Sequence, residues 1–256
     1  MVESLLFGAL TALGIVHLAA PAALRNTFRF SAHCRPRLLA AEDWPANVTE
    51  RLRSLTLQLG NLGFEFLGCF DLGELGAHTN TIVALFSHSN AHDFASFIVS
   101  SASHVADSYL EFSTEFSSGL RLETNNNDVL PLTPDPKNTL VFRFPEMREP
   151  RSLYRLHHQL LEKHAPGAWA KPEAKGQEIQ RWVRTVENHG PRLAEIGYVK
   201  RVHGSESYRL TWKGAILMTR KGLWPTAMVR QWLYRQAMRA ELRSLEVRGI
   251  TALQKA

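Results

Sequence analysis

The chain opens with an apolar stretch in which residues 4–24 contain no Lys, Arg, Asp or Glu. A run of about 20 apolar residues matches the hydrocarbon thickness that one α-helix spans. The alternative is a cleaved secretory signal, for which Ala20 and Ala22 supply small residues. However, such signals carry basic residues before an apolar core of about 7 to 15 residues, and Glu3 is the only charge here. The pattern favours a retained transmembrane anchor over residues 1–24.

After a linker over residues 25–45, rich in Ala, Arg and Pro, the periodicity is first helical and then alternates. Leucines at 52, 55 and 59 predict a helix over residues 48–59. Short runs rich in aromatic and β-branched residues follow, separated by Gly, Asn, Ser and Pro, and they predict an antiparallel meander. The predicted strands cover residues 64–70, 81–87, 95–100, 109–116, 120–124 and 139–144.

The clearest hairpin runs from residue 109 to residue 124, with its turn at residues 117–119. Tyr109, Glu111, Ser113 and Glu115 alternate with apolar neighbours, which predicts one buried face and one exposed to water. A leucine-rich helix over residues 150–164 is suited to cover the buried face. The predicted fold is therefore α+β, with a domain spanning residues 46–165.

The C-terminal region, residues 171–256, reads as a basic helical region with a small hairpin. A helix is predicted over residues 178–187, and Gly190 and Pro191 end it. Residues 193–215 resemble the wing of a winged-helix domain, in which two strands lead through a Leu-Thr-x-x-Gly turn into a further helix. That resemblance implies nucleic-acid binding. The sequence departs from the family where Gly190 and Pro191 interrupt the segment expected to form the recognition helix.

The last predicted helix begins at Thr226 and reaches about residue 248. It combines aromatic and basic side chains in the manner of a helix at a membrane interface, where aromatic rings settle at headgroup depth. The predicted membrane contacts are Trp224, Trp232, Arg235, Arg239 and Arg243. A helix packed on its own domain, with its arginines in water, is the alternative.

Charge is distributed unevenly along the chain. Residues 26–145 contain 8 Lys and Arg against 13 Asp and Glu, whereas residues 146–256 contain 21 against 10. Four arginines follow the apolar N-terminus closely, and basic residues are retained on the cytoplasmic side. The predicted topology has the N-terminus outside and the bulk of the chain in the cytoplasm. The four arginines are Arg25, Arg29, Arg35 and Arg37.

Histidines between the strands provide a weak candidate metal site. His88 and His92 have the i, i+4 spacing that lets two imidazoles share a metal on a helix, and His104 lies nearby in sequence. The surrounding Ser, Asn and Asp residues favour a strand connection instead. Zinc sites need three or four converging ligands, so neither a metal nor a cofactor is predicted.

Asn125, Asn126 and Asn127 form a polar run after a predicted strand. Their side chains are suited either to bond the local backbone in Asx-turns or to bind a polar ligand, and composition favours the turn. The chain contains no Gly-rich phosphate loop, no G-x-S-x-G elbow and no H-E-x-x-H motif. No catalytic residue is therefore predicted.

Together these patterns predict a non-enzymatic, single-pass membrane accessory protein that binds a protein partner or ligand. Lipid headgroups are the expected contact of its C-terminal helix, alongside other membrane proteins. The alternative is a membrane-tethered regulator whose winged-helix-like unit binds nucleic acid, which is the less favoured partner.

Overall fold

The computed structural model describes residues 2–32, 36–44, 46–76, 79–88, 90–102, 105–171 and 176–246. The α-helices within these ranges are α1 (Val2–Thr27), α2 (Ala46–Gly60), α3 (Pro150–His164), α4 (Glu178–Glu187), α5 (His189–Glu195), α6 (Trp212–Gly222) and α7 (Thr226–Glu246), and a short 3₁₀ helix covers Ala41–Asp43. The strands are β1 (Arg29–Ser31), β2 (Arg37–Leu38), β3 (Phe64–Gly76), β4 (Thr79–His88), β5 (Phe94–Ala102), β6 (Val105–Glu115), β7 (Arg121–Asn125), β8 (Thr139–Arg143), β9 (Val199–Arg201) and β10 (Ser207–Leu210). The predicted α+β class is confirmed.

Strands β2 to β8 form one seven-stranded sheet in chain order. Every neighbouring pair is antiparallel except β7 and β8, which run parallel. The sheet is therefore mixed at one edge, where a pure antiparallel meander was predicted. The reason is the segment 126–138, which contains three prolines and crosses back along the sheet, as a parallel neighbour requires.

One face of this sheet is covered by α2 and α3. Leu52 and Leu59 of α2 and Leu153 of α3 are fully buried against Phe86 and Phe112 of the sheet. These leucines recur at helical spacing, while the two phenylalanines occupy inward positions of alternating strands. This layer is the main hydrophobic core.

The opposite face is partly covered as well, although the alternation in β6 predicted that it would be exposed to water. Trp182 and Val186 of α4 pack against a buried cluster on β3 and β4 that includes Phe70 and Val83. Ser113, on the face predicted to be wet, is buried. The apolar stripe of α4 needs burial, and this part of the sheet provides it.

A second, three-stranded sheet has the order β1-β10-β9, with both pairs antiparallel. Strand β1 comes from the N-terminus and pairs with a strand almost 180 residues later in the chain. Its core contains Tyr198, Tyr208 and Leu210, and Leu24 and Phe28 pack against them. The N- and C-terminal segments thus form one unit around the intervening seven-stranded domain.

No helix within the described ranges is both long enough and apolar enough to cross a membrane. The predicted transmembrane helix over residues 1–24, the single-pass membrane localisation and the outside–inside topology are therefore wrong. The apolar run does form α1, but its C-terminal part contributes to the protein core, with Pro21 buried and Leu24 packed on the small sheet. The two functions predicted from this anchor, a single-pass membrane accessory protein and a membrane-tethered regulator, are therefore not supported either.

Candidate functional site

The weak candidate histidine site is not assembled within the described residues, which contain no group of three metal-ligating side chains. His88 Nδ1 accepts hydrogen bonds from the backbone N–H groups of Asn90 and Ala91, at 3.2 and 3.0 Å. His92 occupies the left-handed backbone region of the same turn, with φ 57°. His104 lies outside the described residues. His88 therefore organises a strand connection.

Of the three asparagines, Asn127 bonds the backbone two residues on, as in an Asx-turn, whereas Asn126 bonds segments that are distant in sequence. Asn126 Oδ1 accepts from the backbone N–H of Leu110 at 2.8 Å, and Asn127 Oδ1 accepts from that of Val129 at 2.8 Å. Asn125 differs because its Nδ2 donates to Glu111 Oε2 at 3.1 Å. Asn125 and Asn127 also line a groove on the outer face of the seven-stranded sheet. The segment 125–127 therefore both forms a turn and contributes to the lining of a groove.

The residues predicted to contact a membrane lie on or beside α7. Trp224 and Trp232 are 58% and 59% exposed. Arg235 forms an ion pair with Asp128, with Nη2 2.8 Å from Oδ1, while Arg239 and Arg243 are exposed. The opposite side of α7 packs on α3 through a group of apolar side chains that includes Met238, Leu242 and Leu245. Contact of the exposed side with lipid headgroups stays a prediction.

A polar network that the sequence did not reveal lies in the main core. Asp93 accepts hydrogen bonds from Thr114 and from Tyr154, and its Oδ2 lies 3.3 Å from His158 Nε2. Burial alone would raise the pKa of Asp93, but the histidines and Thr114 outweigh burial, so the pKa is lowered. Burial lowers the pKa of His157 to about 4. No groove reaches this network among the described cavities, and we assign it a structural role.

The candidate site is a groove of about 520 Å³ between the outer face of the seven-stranded sheet and the helix pair α4–α5. Its floor is formed by outward-facing residues of β4 to β8, and the segment 127–136 closes one side. Small-molecule sites typically measure about 300 to 1,000 Å³. The groove is therefore of a size that suits a small ligand.

At the centre of the floor, two glutamates share one arginine. Arg121 Nε lies 2.7 Å from Glu123 Oε1, and Arg121 Nη2 lies 4.0 Å from Glu111 Oε1. Register explains the cluster, because Glu111 pairs with Asn125 and Ser113 with Glu123 across β6 and β7. Their side chains consequently point to the same face. All three charged side chains are less than 20% exposed.

The cluster holds Glu111 in an unusual protonation state. Burial raises the pKa of Glu111 to about 8, and the neighbouring Glu123 contributes in the same direction, against the opposing effects of Arg121 and Asn125. Burial also raises the pKa of Tyr109, with further contributions from Glu111 and Glu123. At pH 7 the groove therefore presents a largely protonated carboxyl beside a phenol.

The rest of the wall balances the charge of the groove. Burial and Arg192 lower the pKa of His189, which keeps this imidazole neutral at pH 7. With Glu111 protonated, three carboxylates face three guanidinium groups. The carboxylates are Glu123, Asp135 and Glu187, and the guanidinium groups are Arg121, Arg143 and Arg192. The groove is thus polar without a net charge.

The helical wall belongs to the terminal unit, whose order is helix, strand, helix, helix and two strands (α1, β1, α4, α5, β9, β10). Contrary to expectation, Gly190 and Pro191 do not break this segment, because both lie inside α5. Gly190 allows the helix to approach Tyr208, whose ring would lie 2.7 Å from an added Cβ. His189 and Arg192 of α5 line the groove.

Three cations form a row on the outer face of the small sheet. Arg209 lies directly opposite Arg29 on one neighbouring strand and Lys200 on the other. Tyr208 and Leu210 point to the buried side, so the row faces outward. The ion pairs found among the described residues involve none of the three. Like charges directly opposite each other are destabilising, so this face favours an anionic partner.

Comparison with protein-family models, with curated proteins and with solved structures finds no match to this chain. The sequence contained one signal for the groove, the polar alternation of Tyr109, Glu111, Ser113 and Glu115 with Glu123 on the next strand. The sequence did not indicate which segments cover this face of the sheet.

Proposed function

We propose that the protein binds a small, uncharged polar molecule in the groove between the seven-stranded sheet and α4–α5. One observation carries the proposal: a cavity of ligand size contains the clustered, largely buried side chains of Glu111, Arg121 and Glu123, in which burial raises the pKa of Glu111 to about 8. Burial destabilises the ionised form of a carboxyl relative to the same group in water. Titratable groups with perturbed pKa values in clefts cluster at functional sites. A structural role would be served as well by Gln.

The hydrogen-bonding groups of the groove indicate the class of ligand. A protonated Glu111 offers both an O–H donor and a carbonyl acceptor, and Tyr109 adds a hydroxyl. Arg121, whose Nε lies 2.7 Å from Glu123 Oε1, has further N–H donors on its guanidinium group. Because the charges of the wall balance, hydroxyl and carbonyl groups are better matched to this site than a charged head group.

The proposal is tested by titrating the full-length protein with glucose, glucuronate and glucosamine, which share a ring but differ in charge. Saturation-transfer NMR reports binding of each. We expect neutral monosaccharides to bind more tightly than either charged analogue. Glu111→Met, which keeps the volume but removes the donor and acceptor, is expected to weaken binding by roughly 5- to 10-fold.

The matched control is Glu65→Met, because Glu65 is an exposed residue of β3 in the same sheet. It should leave binding unchanged. Absence of binding by a panel of neutral monosaccharides and polyols at millimolar concentration contradicts the proposal. Preference for the charged analogues, or equal effects of the two Met variants, also contradicts it.

A second candidate function, binding to a nucleic-acid backbone, is favoured by the row of Arg29, Arg209 and Lys200. Contact with three phosphates predicts a roughly 40-fold loss of affinity for duplex DNA between 50 and 200 mM salt. Replacing all three by Gln should abolish this salt dependence in fluorescence anisotropy. A control triple, Arg53→Gln, Lys137→Gln and Arg155→Gln, should retain it, because these three residues are exposed elsewhere. Equal losses in both variants, or no binding at 50 mM salt, would eliminate this candidate.

A further inference from the structure

A second cavity, of about 630 Å³, lies at the beginning of α7. It is distinct from the groove of the proposed function, although Asp135 and Arg143 contribute to the walls of both. Helix α7 provides most of its lining, and Leu130 lies on the other side. The proposed function gives this cavity no role.

One wall of the cavity is apolar. Pro225 immediately precedes α7, and Val229 and Leu233 follow it at intervals of four residues, so the three line one side of the helix. Val229 and Leu233 are 54% and 55% exposed. From Pro225 to Leu233 the rise along the helix is about 12 Å. This wall has the length of a medium-sized alkyl chain.

The other end of the cavity is positively charged. Arg143 and Arg230 face a single carboxylate, Asp135. The side chain of Arg143 is 9% exposed, and its Nη2 lies 3.3 Å from Asp135 Oδ1. Arg230 Nη2 donates to the carbonyl of Pro131 at 2.6 Å. Each guanidinium has five N–H donors, so donors remain on both for an incoming anion.

The two guanidinium groups also affect each other. Burial lowers the pKa of Arg230, and Arg143 contributes in the same direction. Burial lowers the pKa of Lys221, and Arg230 adds to that effect. Two guanidinium groups and a neighbouring ammonium therefore exceed the one carboxylate. A bound anion would relieve this repulsion, and a carboxylate matches the planar fork of Arg.

We propose that this cavity binds a monomeric amphiphilic carboxylate, with its head group between Arg143 and Arg230 and its alkyl chain along Val229 and Leu233. The combination of charge and apolar length is what selects this class. A small inorganic anion would leave the apolar wall exposed, and an uncharged amphiphile would leave the excess positive charge unpaired.

The test is calorimetric titration of the full-length protein with decanoate below its micelle concentration at pH 7. We expect saturable binding of decanoate and none of inorganic phosphate or decanol at the same concentration. Arg230→Gln should weaken decanoate binding on the order of tenfold, the loss expected for a charged hydrogen bond. Leu233→Ser, at an exposed position, should weaken it through the lost apolar contact.

Arg239→Gln is the control, because Arg239 is an exposed cation of the same helix that does not line this cavity. It should bind decanoate as the wild type does, and so should Glu111→Met, which separates this proposal from the groove. Equal binding of phosphate, or binding to anionic phosphatidylglycerol vesicles without binding to monomeric decanoate, would overturn the proposal. An equal loss in Arg239→Gln and Arg230→Gln would do so as well.

Discussion

Glu111→Gln is expected to stabilise the protein progressively as the pH rises from 5 to 9. In the wild type the folded pKa of Glu111 is raised to about 8 from 4.5, chiefly by burial. Between these values the unfolded chain releases a proton that the folded protein retains, so stability falls with rising pH. The loss amounts to roughly 1 kcal/mol for each pH unit in this window. Gln does not titrate and keeps an amide in the same place.

The measurement is the free energy of unfolding in urea at pH 5, 7 and 9 for both proteins. Their difference should be small at pH 5 and should reach on the order of 3 kcal/mol at pH 9. Glu65→Gln, an exposed substitution on β3, controls for loss of a charge. Parallel stability curves for wild type and Glu111→Gln would show that Glu111 titrates normally in the folded protein. The proposed binding of a neutral ligand in the groove would then lose its main support.

Local patterns predicted most elements of this fold. The helix expected over residues 178–187 is observed as Glu178–Glu187, and that expected over residues 150–164 as Pro150–His164. Both have strong helical periodicity, and α3 has Pro at its start, where the missing N–H costs nothing. Strands were located as well, since alternation survives in β6 regardless of what covers each face.

Long-range pairing could not be predicted from the same patterns. An apolar helix at the N-terminus is compatible with a membrane and with a protein core, and the choice depends on a partner strand such as β10, which is far away in sequence. The groove could not be predicted for the same reason. The polar face of β6 was evident, and so was the apolar stripe of α4 with Trp182 and Val186. No local sequence pattern indicates that these two surfaces pack against each other.

The Leu-Thr-x-x-Gly turn of the terminal unit illustrates how a local motif can encode a long-range contact. Thr211 caps α6, with its Oγ1 accepting from the backbone N–H of Gly214 at 3.0 Å. Its hydroxyl also donates to the carbonyl of Gly197 at 2.7 Å. The backbone N–H of Thr211 donates to the carbonyl of Tyr198 at 3.1 Å. The start of α6 is thereby fixed against the chain that leads into β9.

Gly214→Ala should therefore destabilise the protein by more than about 4 kcal/mol, a large effect for one methyl group. The added Cβ would lie 1.9 Å from the carbonyl oxygen of Tyr198, which the bond to Thr211 holds in place. The gain in helix propensity, about 1 kcal/mol, is too small to compensate. In Gly222→Ala, on the same helix, the new Cβ meets only the flexible tip of Leu132 at 3.3 Å. That control should unfold in urea near the wild-type midpoint, whereas Gly214→Ala should also lose hydrogen-exchange protection in β9, β10 and α6. Equal midpoints for the two variants would mean that α6 does not pack this closely on Tyr198.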